Sequence, residues 1–151
     1  MKIFAFLDAL KMDLILNVDV SASVDRFLPA MRQFLADLLS RYTIAADHTQ
    51  VAMITFMNPA VLNWNWQSQE TSSYALLIQS INSTLADTTG STVGTVDDGF
   101  VRAMSNVTNT EYDRESAINI LLTLGDGDGS SSLPHLAEIN SYARCGDSQT
   151  S

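Results

Sequence analysis

The chain has 151 residues, 46% of them hydrophobic and 17% charged, with a formal net charge of −9. That length fits one domain with a sizeable core and excludes global disorder. The acidic balance argues against nucleic-acid binding, which draws on neutralised phosphates, and no apolar run reaches the roughly 18 residues of a membrane span.

Residues 1–12 read as an N-terminal extension. Their short apolar stretch is broken by Asp8, too early for the core of an export signal. Asp13 to Val18, DLILNV, is a short apolar run that stops at Asp19, the pattern of a buried strand delivering a loop at its carboxyl end. Phe27, Met31, Phe34, Leu35, Leu38, Leu39 and Tyr42 then recur at three- and four-residue spacing and predict a helix, with Pro29 in its first turn. Gln50 to Met57 is a second strand and Asn58-Pro59 a turn. Ala60 to Trp66 alternates, with Leu62, Trp64 and Trp66 expected on one side of an antiparallel edge strand.

Ser72 to Ile81 predicts another helix, residues 87–95 a loop, and Val96 to Val107 a short helix with Asp97 and Asp98 favourably placed at its positive end. Ala117 to Leu124, AINILLTL, is the most apolar strand of the set and runs into GDGDGSSS. A helix over Pro134 to Ala143 and a polar tail over residues 144–151 close the chain. Cys145 is the single cysteine, so no disulfide within the chain and no cysteine-based zinc site can form. His48 and His135 read as surface residues. Asn82-Ser83-Thr84 and Asn106-Val107-Thr108 are glycosylation acceptors if the protein is secreted.

Apolar strands interleaved with helices predict an α/β fold: a doubly wound, mainly parallel sheet of Rossmann type with one antiparallel edge strand. The Asp13–Val18 strand is expected between Gln50–Met57 and Ala117–Leu124. Ligands in such sheets bind beyond the carboxyl ends of the strands, and two of those ends carry carboxylates, Asp19 and Asp126.

Asp19-Val20-Ser21-Ala22-Ser23 follows the first strand directly. Alternate residues of such a loop can point one way, so a carboxylate and two hydroxyls would converge, a donor set suited to a hard cation such as Mg²⁺, Ca²⁺ or Mn²⁺. Ordinary helix capping accounts for the same residues. Asp126 alters the balance, because two neighbouring carboxylates repel unless a positive charge lies between them or one is protonated, and a cation is the economical solution. Thr92, with Thr95 as the alternative, offers a further hydroxyl from the Gly90-to-Thr95 loop; both also suit turn or cap hydrogen bonds.

Strand, DxSxS loop and helix, then a small-residue Thr loop, then strand and Asp-Gly: this order resembles the von Willebrand factor type A domain, also called the integrin I domain, over Asp13 to Ala143. The resemblance implies a metal-ion-dependent adhesion site with Asp19, Ser21, Ser23, Thr92 and Asp126 as direct or water-mediated ligands. It implies an open coordination position for an acidic side chain of a protein partner, an extracellular or secreted setting and no catalysis. The chain departs from the family with Val20 and Ala22 where glycines are common, with TVGT in the Thr loop, and by ending before the family's further strands and final helix, as a truncated domain would. The enzyme alternative is a haloacid-dehalogenase-like phosphohydrolase, because Asp126-Gly127-Asp128-Gly129-Ser130 resembles that family's DxDGS loop. That loop usually opens its domain, and here it stands near the end. An EF-hand loop starting at Asp126 fails on Ser131 and Ala137, where glycine and glutamate are required.

Overall fold

The computed structural model describes residues 11–56, 60–86, 114 and 117–125. Strand β1 (Met12–Asp19) is buried at every position. It pairs in parallel with β2 (Thr49–Phe56) from Met12 opposite Thr49 to Asp19 opposite Phe56. On its other side it pairs in parallel with β4 (Ile118–Leu124), from Met12 opposite Ile118 to Val18 opposite Leu124. Strand β3 (Val61–Trp64) runs antiparallel to β2, giving the order β3-β2-β1-β4. The first strand is therefore interior and the third an antiparallel edge, as the sequence predicts. The predicted Asn58-Pro59 turn lies outside the described residues, as do residues 1–10, the predicted helices at Val96–Val107 and Pro134–Ala143, and the polar tail.

After β1 the chain makes a 3-10 segment, Ala22–Phe27, and then helix α1 (Leu28–Leu39), whose Pro29 sits in the first turn where a missing N–H costs little. A second 3-10 turn, Gln69–Ser72, leads into α2 (Tyr74–Thr84), capped by the Ser73 hydroxyl, which accepts from the Leu76 N–H at 3.4 Å. Alternation along β1 splits the core. Leu14, Leu16 and Val18 pack with Val51 and Met53 beneath Leu28, Leu35 and Leu39 of α1 and Leu77 and Ile81 of α2. Ile15 packs on the opposite face with Ala52, Ile54, Trp66 and Leu121.

Three sequence-based expectations change here. Phe27 and Phe34, read as part of the inward stripe, are 41% and 47% exposed, because α1 buries the narrower line of Leu28, Leu35 and Leu39. Trp64 and Trp66 do not share a side; Trp64 joins the core under the helices and Trp66 the opposite one. The strand ends at Trp64, and Asn65 opens a turn, its side-chain oxygen accepting from the Gln67 N–H at 3.0 Å and the Ser68 hydroxyl at 3.2 Å. Period-two alternation lapses at that point. Finally β4, the most apolar strand by sequence, leaves Ile118 and Ile120 exposed.

At the amino ends of the strands, fully buried Asp13 meets Arg114. The guanidinium donates to Asp13 Oδ1 through Nε at 3.0 Å and also through Nη2. It further donates to the carbonyls of Met12 (2.9 Å), His48 (2.7 Å) and Ala46 (2.9 Å), so one side chain ties β1 to the turn before β2. Removing one member of a buried pair strands the other's charge, typically at about 3–5 kcal/mol. Arg114→Met should therefore lower unfolding free energy by about that amount in urea titration, and Asp13→Leu/Arg114→Met should be less destabilised than Arg114→Met alone. A single variant as stable as the parent would show that the pair contributes nothing.

Candidate metal centre

Asp19 is the last residue of β1, only 7% exposed, at the carboxyl ends of three parallel strands. Its Oδ1 accepts the backbone N–H of Ser21 at 2.8 Å, a two-residue Asx turn that folds the loop back over the strand end. The Val20 N–H donates to the Phe56 carbonyl at 3.3 Å, which pins the loop to β2. Ser21 is extended at φ −69° and ψ 161°, and its carbonyl accepts from the Val24 N–H at 3.1 Å to begin the 3-10 segment.

Ser21 occupies the cap position of that segment, yet its hydroxyl makes no capping hydrogen bond. Instead the Ser21 and Ser23 hydroxyls stand 3.0 Å apart. Ser21 is buried and Ser23 exposed, so the pair leads from the strand end towards solvent. The capping reading of these serines is thus not the one the geometry takes. One carboxylate and two adjacent hydroxyls form an all-oxygen donor set, which fits a hard divalent cation. Thr92, Thr95, Asp126 and Asp128 lie outside the described residues. Among the described residues no group of three or more His, Cys, Asp or Glu stands together.

Gly125 supplies what the motif alone does not reveal. A Cβ built on it would meet Asp19 Cβ at 3.3 Å, Asp19 Oδ2 at 3.4 Å and Phe56 Cζ at 3.5 Å. The backbone leaving β4 therefore passes close to the Asp19 carboxylate, and a side chain there would make it give by a few tenths of an ångström. Its place among the small residues after the Ala117–Leu124 strand is the only sequence signal for this. Asn17, two residues before Asp19 on the same face, is fully buried, with no partner among the described residues for either end of its amide. Its burial has no counterpart in the motif, and nothing in the structure explains it.

Two other features lie apart from this centre. Asn63, Trp64, Glu70, Gln79 and Ser83 line a hollow of about 400 Å³ that contains none of the candidate ligands. His48 and Asp47 form a surface pair at 2.7 Å; the hydrogen bond from His48 holds the Asp47 carboxyl below its usual range. The pair precedes β2, at the end of the sheet away from Asp19.

A family profile described as the von Willebrand factor type A domain matches residues 13–144. Among solved structures, proximal thread matrix protein 1 from the mussel byssus is similar at 22% identity and a TM-score of 0.71, over 89% of this chain and 34% of that one. Another structure of that protein, described as having a zinc-occupied MIDAS motif, is similar at 23% identity and a TM-score of 0.64, with the same coverage. The manganese-loaded TRAP protein of Plasmodium vivax is similar at 18% identity and a TM-score of 0.68, over 90% of this chain and 54% of that one. At these identities the likeness is one of fold. The chain spans about a third of the length of the byssus protein. No curated protein matches it.

The two oxygen functions of the loop separate by substitution. A lost capping bond costs about 1 kcal/mol. Ser21→Ala removes no capping bond, so it should leave unfolding free energy within about 0.5 kcal/mol of the parent in urea titration while weakening Mg²⁺ binding in calorimetry. Gly125→Ala should press on Asp19 and weaken Mg²⁺ binding by about three- to tenfold, or roughly 1 kcal/mol. Unchanged affinity in Gly125→Ala would mean that the carboxylate can shift at no expense to the site.

Proposed function

This chain belongs to the von Willebrand factor type A domain family, and we propose that it is a non-catalytic module that binds a partner protein through a divalent metal ion. Asp19, Ser21 and Ser23 hold the ion in this reading, with Thr92 and Asp126 completing the set. The observation that carries it is the Ser21–Ser23 hydroxyl pair beside the Asp19 carboxylate, at a cap position whose side chain does no capping.

The chain's own groups have distinct parts. Asp19 brings negative charge and is oriented by the Ser21 N–H, so its ligand geometry is set before an ion arrives. The two hydroxyls contribute lone pairs and no charge, which leaves a bound cation attractive to a further anion. When bound, the ion supplies an open coordination position that a partner's acidic side chain fills. Mg²⁺ is the proposed ion, with Ca²⁺ or Mn²⁺ as substitutes. The zinc and manganese of the similar structures support a divalent ion in general. An extracellular setting is part of the proposal, supported by the likeness to a byssus thread protein. No described helix is long and apolar enough to cross a membrane.

Calorimetric Mg²⁺ titration of variants, run beside a phosphate-release assay, tests this reading. Asp19→Ala should abolish Mg²⁺ binding and keep the circular dichroism of the parent, because the residue ends a strand outside both apolar clusters. Asp128→Ala should titrate like the parent. Phosphate release that depends on Asp128 would instead establish the phosphohydrolase reading.

A further inference from the structure

The hollow beside α2 is built from groups that can hydrogen-bond and have no partner in the fold. Gln69 and Glu70 line it from the second 3-10 turn, and Gln79, Ser80 and Thr84 from α2. None of these side chains makes a hydrogen bond among the described residues. Trp64 lines it too; it is only 5% exposed, yet its indole N–H has no partner among the described residues. Solvent satisfies exposed amides and hydroxyls, so the hollow by itself names no ligand. The chain's own sequence does. Thr84 is the third residue of Asn82-Ser83-Thr84, the acceptor pattern for N-linked glycosylation. Ser83 and Thr84 both line the hollow, so Asn82 stands at its margin, and Asn82 is exposed. On α2 it is the third residue after Gln79, a spacing that sets two side chains next to each other. It lies in the last turn, where a helix frays and its carbonyls lack helical partners.

Resting on the extracellular part of the reading above, we infer that Asn82 carries an N-linked glycan whose first sugars are seated in this hollow. In the attachment step the Asn82 side-chain nitrogen bonds to the anomeric carbon of an N-acetylhexosamine. The bond from that carbon to pyrophosphate, in a lipid-linked oligosaccharide donor, breaks, and one amide proton leaves with the pyrophosphate. The attached sugar matches the lining group by group. Its hydroxyls donate and accept, the Gln69 and Gln79 amides do the same, and the Glu70 carboxylate accepts. The hollow, at about 400 Å³, is of the size that holds small polar molecules. Covalent attachment makes the contact intramolecular, so individually weak bonds at an open surface suffice. The first sugars of such a glycan are uncharged, and they meet no opposition from a chain of net charge −9.

The full chain, expressed behind a cleavable secretion signal in a eukaryotic host, tests both the attachment and the seat. Peptide mass mapping should find a glycan on Asn82, and Asn82→Gln should lose it. In the glycosylated chain Gln69→Ala/Gln79→Ala should lower the urea midpoint by about 0.5 M, while the same pair in the Asn82→Gln background should leave the midpoint where it was. An unmodified Asn82 in the secreted chain would overturn the inference, most plainly if Asn106 is modified in the same molecule. A midpoint change that is the same with and without the glycan, zero included, would show that the two glutamines do not hold a sugar, and would also overturn it. Residence of the native protein in the cytosol of its source cells would instead overturn the extracellular reading beneath it.

Discussion

A strand buried along its whole length has no water to satisfy its backbone, so each N–H and C=O of β1 must find a partner in a neighbouring strand. Parallel pairing with β2 on one side and β4 on the other meets that demand and fixes the register of all three. Since all three strands run the same way, their carboxyl ends coincide. Asp19 then falls beside Phe56 and the backbone of Gly125 without any contact designed for that purpose. The candidate ion site is a consequence of how the central strand is hydrogen-bonded.

Burial in this sheet follows position more than hydropathy. β1 contains Asp13, Asn17 and Asp19 and is wholly buried, while β4, whose polar residues are only Asn119 and Thr123, leaves Ile118 and Ile120 exposed. Each polar residue of β1 has to be accommodated where it lies. Asp13 meets the Arg114 guanidinium, and Asp19 turns its Oδ1 onto the Ser21 N–H. Asn17 has no such arrangement among the described residues.

What could be read from the sequence was what repeats locally. The run DLILNVD announced an interior strand, the alternation after Pro59 an antiparallel edge, and DxSxS a loop with three oxygens. Residues whose role is set by tertiary position were not legible. Helical spacing cannot say how wide a stripe the core will take, so it does not separate Phe27 and Phe34 from the buried line. Alternation cannot say where a strand stops, so it does not separate Trp64 from Trp66. Arg114 meets Asp13 across 101 positions of chain, with no signal near either residue. Whether Ser21 caps or coordinates depends on where its hydroxyl turns, which a motif leaves open.

The Arg114 clamp stands at one end of the sheet and the Asp19 loop at the other. A fold secured at its base tolerates change at its rim. Substitutions at Asp19, Ser21 or Ser23 touch neither the clamp nor the apolar clusters, to which the same loop lends Val20 and Val24. The rim can therefore vary in chemistry while the base keeps the strands in register, a separation unavailable where one set of side chains must serve both ends.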